Sequence, residues 1–514
     1  MPILNPTPPT ASRALRTASL ILACLWSIAF AAELPPTPLE AAKFERISTS
    51  AEISAYLDAI AAAVPHARKE VVGTSVQGRP IEALVFTHPE GRSGGGRIKL
   101  MIIGSQHGAA EPAGGEALME IARDLAAGDL QPLLHDADVI LLPNANPDGR
   151  DLGRRANANW VNINTDFVLA EQAETRVLID ALARYRPDAL LDSHESAILK
   201  RKTLAKDGYL TDFDAQFEIA NTPGVTDAMR RLTLEDLLPA LTQRVTEAGL
   251  PAHRYIGEIT SIHQPVTNGG LTLRNFRNTS GMSGAASFLV ETKLDSREDR
   301  WPTYRNIAVR VDRQLICLRA FLALMHERRA DILTQVALAR QAMTGGTMAL
   351  YTGYVQDPAH PSVKIPMRRL DTRELEDLEF RDHRKQIYAD EIALPATLLV
   401  TAEQRRIGEV LGRHHVDYEA LRAPRRYAVL AGRYAVQPNI TDRAKLLAAE
   451  AKTLTAPAGS LVIDVAQPNG RVAVMLLDPR STSSLFRYPA YAALVRADRE
   501  HFVYPAFKGV AKLP

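Results

Sequence analysis

The sequence predicts an α/β protein whose central sheet is mixed but mostly parallel and flanked by helices, followed by a smaller β-rich C-terminal domain. Short apolar runs typical of buried strands alternate with amphipathic stretches typical of helices in the first part of the chain. Such alternation favours a parallel sheet covered by helices. The chain has 514 residues, and a single core stops growing near roughly 250 to 300 residues, so two domains are expected.

The predicted elements begin after a proline-rich linker. Thr49 and Glu52 form a capping-box pattern, which predicts the start of the first helix. Residues 77–80 (Gln-Gly-Arg-Pro) then predict a turn between two strands. The later buried strands are predicted at residues 100–103, 139–142, 189–191 and 287–290, and the later helices at residues 115–125, 170–183 and 303–342.

The pattern changes after Gly345-Gly346. From residue 348 onward the chain has short alternating runs at residues 427–430, 460–465 and 472–476, and Asn469-Gly470 predicts a hairpin between the last two. The predicted organisation is therefore a segment 1–32 removed on export, a catalytic domain 33–345 and a β-rich accessory domain 346–514. The accessory domain carries no recognisable chemistry.

The N-terminal segment has the pattern of a secretory signal peptide. Arg13 and Arg16 precede an apolar run over residues 18–32, which ends near the small residues Ala29 and Ala31. The run is about 15 residues, whereas a membrane-spanning helix needs about 20. We therefore expect an exported protein, periplasmic or secreted, without stable membrane insertion after cleavage; an uncleaved anchor is the alternative.

Composition and charge exclude several classes of protein. The chain has 61 basic and 59 acidic residues, a net charge of +2, so it lacks the polybasic character expected of a nucleic-acid-binding protein. Its 46% hydrophobic content is that of a globular protein rather than a disordered or collagenous one. Function must therefore be argued from a site.

The predicted buried strands run into polar residues, and in open α/β sheets ligands bind beyond the carboxyl ends of the strands. His107 directly follows one strand, Glu111 lies at a predicted helix start, and His194 ends another central strand. A catalytic zinc site uses three protein ligands of these types and keeps one position open. We therefore predict one Zn²⁺ per chain, bound by His107, Glu111 and His194.

The sequence resembles the zinc carboxypeptidases of the carboxypeptidase A type over roughly residues 45–340. The resemblance rests on Asn-Pro-Asp-Gly at residues 146–149, on the run from Arg155 to residue 167, and on Phe-Leu-Val-Glu-Thr at residues 288–292. It implies that Glu291 is the general base, that Arg155 stabilises the tetrahedral oxyanion and that Asn164 binds the substrate carboxylate.

The chain departs from the family pattern at its first ligand pair. The family has His-x-x-Glu, whereas three residues separate His107 from Glu111 here. Because Glu111-Pro112-Ala113-Gly114 still matches the family pattern at the ligand glutamate and the three positions after it, the extra residue is placed in the loop. Glu116 is the alternative ligand.

Further departures affect the substrate end and the surroundings of the metal. Thr165 stands where classical members have an arginine that pairs with the substrate's terminal carboxylate. Arg274 or Arg277, just upstream of the predicted strand at residues 287–290, is expected to supply the missing charge. Asn162 stands where many members have an aspartate beside a metal histidine, which predicts weaker metal binding.

The predicted function is zinc-dependent hydrolysis of an amide bond in a peptide or a peptidoglycan stem peptide. The zinc ion would lower the pKa of a water, and Glu291 would accept its proton. Two alternatives remain open: a deacylase of the aspartoacylase and succinylglutamate desuccinylase type, and a non-catalytic peptide-binding relative.

Overall fold

The computed structural model describes residues 34–87, 96–196, 204–211, 213–257, 259–294, 306–435 and 444–507. The segment predicted to be a signal peptide lies outside these residues. Within the described ranges, none of the helices combines the length and the apolar character that a membrane span requires.

The strands and helices alternate through the first part of the chain and give way to a strand-rich part after residue 346. The strands are β1 (Ala67–Thr74), β2 (Pro80–Thr87), β3 (Ile98–Ile103), β4 (Ala137–Leu142), β5 (Ala189–Ser196), β6 (Tyr209–Thr211), β7 (Ala215–Ile219), β8 (Ala252–Arg254), β9 (Ala286–Lys293), β10 (Thr347–Val355), β11 (Ser362–Arg369), β12 (Leu375–Arg381), β13 (Lys385–Ala393), β14 (Thr397–Val400), β15 (Glu419–Ala420), β16 (Arg425–Ala435), β17 (Lys445–Ala456), β18 (Leu461–Asp464) and β19 (Val503–Ala506). The helices are α1 (Pro38–Ala41), α2 (Ser50–Ala63), α3 (Ala113–Ala127), α4 (Pro147–Asp151), α5 (Ala173–Tyr185), α6 (Asp227–Arg231), α7 (Leu238–Glu247), α8 (Phe276–Gly281), α9 (Ile307–Glu327), α10 (Arg329–Ala342), α11 (Gln404–Arg413), α12 (Gly470–Leu477) and α13 (Pro489–Ala492).

An eight-stranded sheet with the order β1-β2-β4-β3-β5-β9-β7-β8 forms the centre of the first part. The strands β4, β3, β5 and β9 run parallel, whereas β2 and β7 pair antiparallel with their neighbours β4 and β9. The buried strands predicted from the apolar runs correspond to these four parallel strands. The predicted mixed, mostly parallel sheet is confirmed.

Helices cover both faces of this sheet. One hydrophobic core joins the sheet to α2, α3, α7 and α9, and a second lies between the other face and α5. The four parallel strands are buried almost throughout because both of their faces are covered. Because these four strands run parallel, their carboxyl ends lie at the same edge of the sheet, where the chain can place polar side chains.

Two of the predicted helices differ in how closely the structure follows the prediction. The capping box forms as predicted, since Glu52 N donates to Thr49 Oγ1 and Thr49 N donates to the Glu52 carboxylate. The helical stretch predicted over residues 303–342 is interrupted in the structure: α9 ends at Glu327 and α10 begins at Arg329. Arg328 marks the break, and its guanidinium binds Asp236.

The C-terminal part is β-rich, as predicted, but the prediction of a hairpin at Asn469-Gly470 is wrong. Residues 470–477 form the helix α12, with Asn469 as its N-cap residue. Asn469 has φ −102°, outside the left-handed region that the predicted type I′ turn requires. All eight residues of α12 are buried, and a helix buried on every side has the same continuous apolar sequence as a buried strand.

The C-terminal part packs on the loop that leads into α8. The strand β11 pairs with β6 as well as with β12, so one small sheet spans both parts of the chain. Tyr354 on β10 donates to Gly269 O at 2.8 Å and accepts from Asn221 Nδ2 at 2.9 Å. The strand β10 therefore helps to hold the loop before α8 in place. The domain boundary near residue 345 stays a prediction.

Candidate metal centre and active site

The structure places His107 and Glu111 on either side of a single 3₁₀ turn, Gly108–Ala110. All three residues between them form this turn, and the placement of the extra residue relative to the family pattern stays a prediction. Gly108 has φ +50°, and a Cβ there would lie 2.5 Å from the carbonyl carbon of Gly149. Only glycine therefore permits this turn to pack against the chain around residue 149.

Three buried side chains that could hold a metal ion converge at the carboxyl ends of β3 and β5. His107, Glu111 and His194 each offer one ligand atom, and these atoms lie within 4.8 Å of one another. The imidazole rings have centroids 5.0 Å apart. His107 Nδ1 is buried and has no hydrogen-bond partner, and a buried unpaired nitrogen is costly unless something binds it. The donor set and this nitrogen fit a cation such as zinc.

A carboxylate that the sequence analysis did not identify orients His194. Asp192 Oδ2 lies 2.9 Å from His194 Nε2, and Asp192 Oδ1 accepts from Gln106 Nε2 at 2.6 Å. His194 Nδ1 faces the other way, 3.0 Å from Glu111 Oε2. Residues two apart on a strand share a face, so the Asp-x-His spacing on a predicted strand was the signal that could have found Asp192.

The three candidate ligands differ in their protonation because they differ in their neighbours. Burial lowers the pKa of His107 well below its ordinary value, which leaves the neutral imidazole that a metal needs. Burial alone would raise the pKa of Glu111, but His107, Arg155 and His194 hold it below its ordinary value. The His194 pKa is raised despite burial, because Asp192 and Glu111 stabilise the imidazolium. A cation at the cluster would compete with this proton.

Glu291 lies on β9 directly beside His194 on β5. The two residues are paired in the parallel register of these strands, so their side chains project from the same face of the sheet. Burial raises the pKa of Glu291 to about 7, with Glu111 and Asp192 adding to the effect and His194 and Arg155 opposing it. Its Oε2 atom is buried without a hydrogen-bond partner. Glu291 is therefore placed to accept a proton in the crevice.

Arg155 contacts the cluster directly. Its guanidinium binds Glu111 Oε1, and 40% of its side chain is exposed. An exposed guanidinium beside a candidate ligand is in position to donate to a substrate oxygen in the crevice. The structure thus brings the predicted oxyanion-stabilising arginine next to the predicted ligands.

Asn164 and Thr165 lie in the 3₁₀ turn Ile163–Thr165 beside the cluster. Asn164 Oδ1 accepts from Phe276 N at 2.9 Å, which turns its Nδ2 toward His194 Nε2 at 3.1 Å. Thr165 Oγ1 donates to Asn162 O, and Asn162 Oδ1 accepts from Asn164 N. The Asn162 side chain therefore caps its own turn. The carboxylate that lies beside the candidate ligand His194 is that of Asp192.

The two arginines expected at the substrate end occupy different environments. Arg274 is exposed, one residue before the N-cap of α8. Arg277 is 2% exposed, and its Nη2 donates to Asn221 Oδ1 and to Gly270 O. Arg277 thus holds the loop before α8, whereas Arg274 is accessible to a ligand.

Glu116, the alternative ligand, is committed elsewhere. Its carboxylate accepts from Arg150 Nη1 at 2.7 Å and from the backbone and side chain of Ser48. It does not belong to the cluster of His107, Glu111 and His194. The geometry therefore favours Glu111 as the ligand.

A buried ion pair supports the site from the opposite face of the sheet. Glu195, the residue after His194, binds the Arg310 guanidinium at 2.6 Å, and both side chains are fully buried. The second Glu195 oxygen accepts from Ala113 N, at the start of α3. This pair fixes the end of β5 to α9 and α3, and with it the position of His194.

Comparison with known proteins finds similarity in the part of the chain that carries most of these side chains. A family model described as zinc carboxypeptidase matches residues 53–188, a range that includes His107, Glu111, Arg155 and Asn164. The chain is 29% identical over 201 residues to "Probable carboxypeptidase 2" of Trichophyton verrucosum, covering 38% of each protein. It is 35% identical over 145 residues to human "Carboxypeptidase D", covering 23% of this chain and 10% of that protein.

Solved structures give likenesses over about half of the chain. A metallo-carboxypeptidase from Burkholderia cenocepacia is 20% identical, with a TM-score of 0.42, over 55% of this chain and 70% of that one. A metallo-carboxypeptidase from Pseudomonas aeruginosa is 24% identical, with a TM-score of 0.40, over 55% and 68%. The matched segment spans less than half the length of the curated relatives, 38% for the first of them.

Proposed function

We propose, from the match of residues 53–188 to the zinc carboxypeptidase family model and from the similarity to curated carboxypeptidases, that this chain is a zinc-dependent peptidase of the carboxypeptidase type. One observation carries the proposal: the buried cluster of His107, Glu111 and His194 lies beside Glu291 on the neighbouring strand. Three zinc ligands next to a carboxylate that has an unpaired oxygen make up the set that hydrolysis of an amide requires.

The proposed roles follow from the positions of the side chains. His107, Glu111 and His194 would hold the zinc ion, which when bound would supply Lewis-acid activation of water and carbonyl. Glu291 accepts the proton of the attacking water and returns it to the leaving amine. The Arg155 guanidinium donates to the oxygen that becomes negative as the carbonyl is attacked. Asp192 holds the Nε2 proton of His194 and so leaves Nδ1 free for the metal.

The substrate is proposed to be a peptide, and more narrowly a peptidoglycan stem peptide met by an exported enzyme. The signal-peptide pattern of residues 18–32 supports export. Thr165 cannot neutralise a terminal carboxylate, and its hydroxyl donates to the backbone carbonyl of Asn162. The exposed Arg274 is therefore proposed to meet the substrate carboxylate, because Arg277 is buried and bonded to Asn221 and Gly270.

The experiment that tests the proposal compares substrates and metal states. The purified protein is incubated with a free-acid peptide, with a stem peptide and with an N-acyl amino acid, as isolated, after chelation and after zinc is restored. We expect peptide hydrolysis that chelation abolishes and zinc restores. Hydrolysis of the N-acyl amino acid alone would instead indicate a deacylase, and no hydrolysis by the zinc-loaded protein would reject the proposal.

A further inference from the structure

Trp160 is exposed in a way that the packing of the protein does not explain. Tryptophan is usually largely buried, yet 76% of this residue is exposed. Its backbone is also unusual, with φ +61°. A bulky residue in the left-handed region is strained where glycine would not be, and strained residues of this kind cluster at functional sites.

The turn that carries Trp160 is rigidly built. Asn157 N donates to Val161 O at 3.0 Å and Trp160 N donates to Asn157 O at 3.1 Å. The Asn157 side chain is fully buried, accepts from the backbone of Asn159 and Val161, and donates to Glu174. The outward position of Trp160 is therefore set by the turn and is not a consequence of a loose loop.

One face of the indole is already occupied. The Arg154 guanidinium lies over the Trp160 ring, with its central carbon 4.0 Å from the ring centroid, and Arg154 Nη2 donates to Ala158 O at 3.0 Å. This stacking fixes the orientation of the ring. Since most of Trp160 is exposed, the opposite face is open to a ligand.

This turn lies at the edge of the candidate active site. Arg155, which binds Glu111, precedes it, and Asn164, which faces His194, comes after it. Three residues separate Trp160 from Asn164 along the chain, so their Cα atoms are at most about 15 Å apart. Arg154 O also accepts from Ala109 N, within the loop that carries His107 and Glu111. The turn that carries the indole is thus held beside the loop of the candidate ligands.

We propose that Trp160 is a stacking platform that binds the apolar face of a ring carried by the peptide substrate. The inference rests on the proposed peptidase function. An indole presents an extended apolar face, and ring faces stack on it at offset distances with a gain beyond simple burial. The ring is either an aromatic side chain of the peptide or a sugar ring attached to it, as in a muropeptide.

The test uses Trp160→Gly, in which glycine adopts the left-handed backbone without strain and keeps the backbone bonds of the turn. The substrates are a peptide with one phenylalanine, its alanine counterpart, a disaccharide-bearing muropeptide and the same stem peptide without sugar. We expect KM for at least one ring-bearing substrate to rise about 3- to 10-fold in the variant, with kcat little changed and with less than a twofold change for its ringless counterpart. Leu152→Ala is the matched control, because Leu152 is an exposed apolar residue (44%) of the same segment.

A binding measurement separates this inference from the proposed function. The Trp160→Phe variant lacks the Trp160 fluorescence. The difference between the wild-type and variant titrations with each peptide therefore reports whether a ligand covers the indole, with or without turnover. If no peptide is hydrolysed but ring-bearing ligands alone quench the Trp160 fluorescence, the proposed peptidase function is rejected and the stacking platform is retained. An effect on the phenylalanine peptide identifies an aromatic side chain, and an effect on the muropeptide identifies a sugar. Equal binding and equal KM for ring-bearing and ringless ligands in both proteins would overturn the inference.

Discussion

Replacement of Asp192 by asparagine should weaken zinc binding without disturbing the fold. Asp192 Oδ2 lies 2.9 Å from His194 Nε2, and both side chains are buried, at 1% and 2% exposure. The asparagine side chain can keep both contacts. Its oxygen would accept from His194 Nε2, and its nitrogen would donate to Gln106 Oε1, which is buried without a partner and would face it after a flip of the Gln106 amide. The change therefore removes chiefly the charge that holds the His194 proton.

The expected loss is about 10- to 100-fold in zinc affinity, the range for removal of a carboxylate that orients a metal histidine, or about 1.4 to 2.7 kcal/mol. Zinc affinity would be measured by competition with a chromophoric chelator at constant pH. Asp166→Asn is the control, because Asp166 is also a buried carboxylate near the site but accepts from Gln172 N. Affinity unchanged by Asp192→Asn, or lowered equally by both substitutions, would refute the orienting role.

Four other outcomes are expected. Glu291→Gln should retain zinc and fold but lose most turnover, since an amide cannot accept the water's proton, and near-wild-type kcat would reject its role. Arg155→Ala should lower kcat by about 10² or more with a smaller change in KM, measured by steady-state kinetics. Arg310→Met should lower the free energy of unfolding by about 3 to 5 kcal/mol in urea titrations, because it leaves a fully buried carboxylate unpaired. Arg274→Ala should reduce the preference for a free-acid peptide over its amide more than Arg277→Ala does, and equal cleavage of acid and amide by wild type and both variants would show that neither arginine reads the carboxylate.

The parallel centre of the fold could be predicted because its strands are buried on both faces. The runs at residues 100–103, 139–142, 189–191 and 287–290 are apolar except for Ser287, and each leads into polar residues. The same rule failed at α12, which has a similarly apolar run but is helical. Apolar composition thus indicated burial in both cases, and only the tertiary context decided the backbone.

The candidate ligands could be predicted because histidine and glutamate, which zinc binds, follow the ends of predicted strands, whereas most of their supporting contacts could not. The pairing of Glu195 with Arg310 joins residues far apart in the sequence, and Trp160 reads as an ordinary apolar residue until its exposure and backbone are known. The Asp192 contact with His194 depends on the strand assignment that places both on one face. Local patterns therefore identified the reacting groups, and packing determined what orients them.

The measurement that tests the central claim most directly is the zinc content of the purified protein and its variants by mass spectrometry. The cluster predicts one zinc ion per wild-type chain, its loss in His194→Ala and in Glu111→Ala, and its retention in Glu116→Ala, because Glu116 binds Arg150 and Ser48 instead. Circular dichroism would confirm that each variant is folded. Full zinc retention in folded His194→Ala would contradict the account, and so would retention in Glu111→Ala with loss in Glu116→Ala.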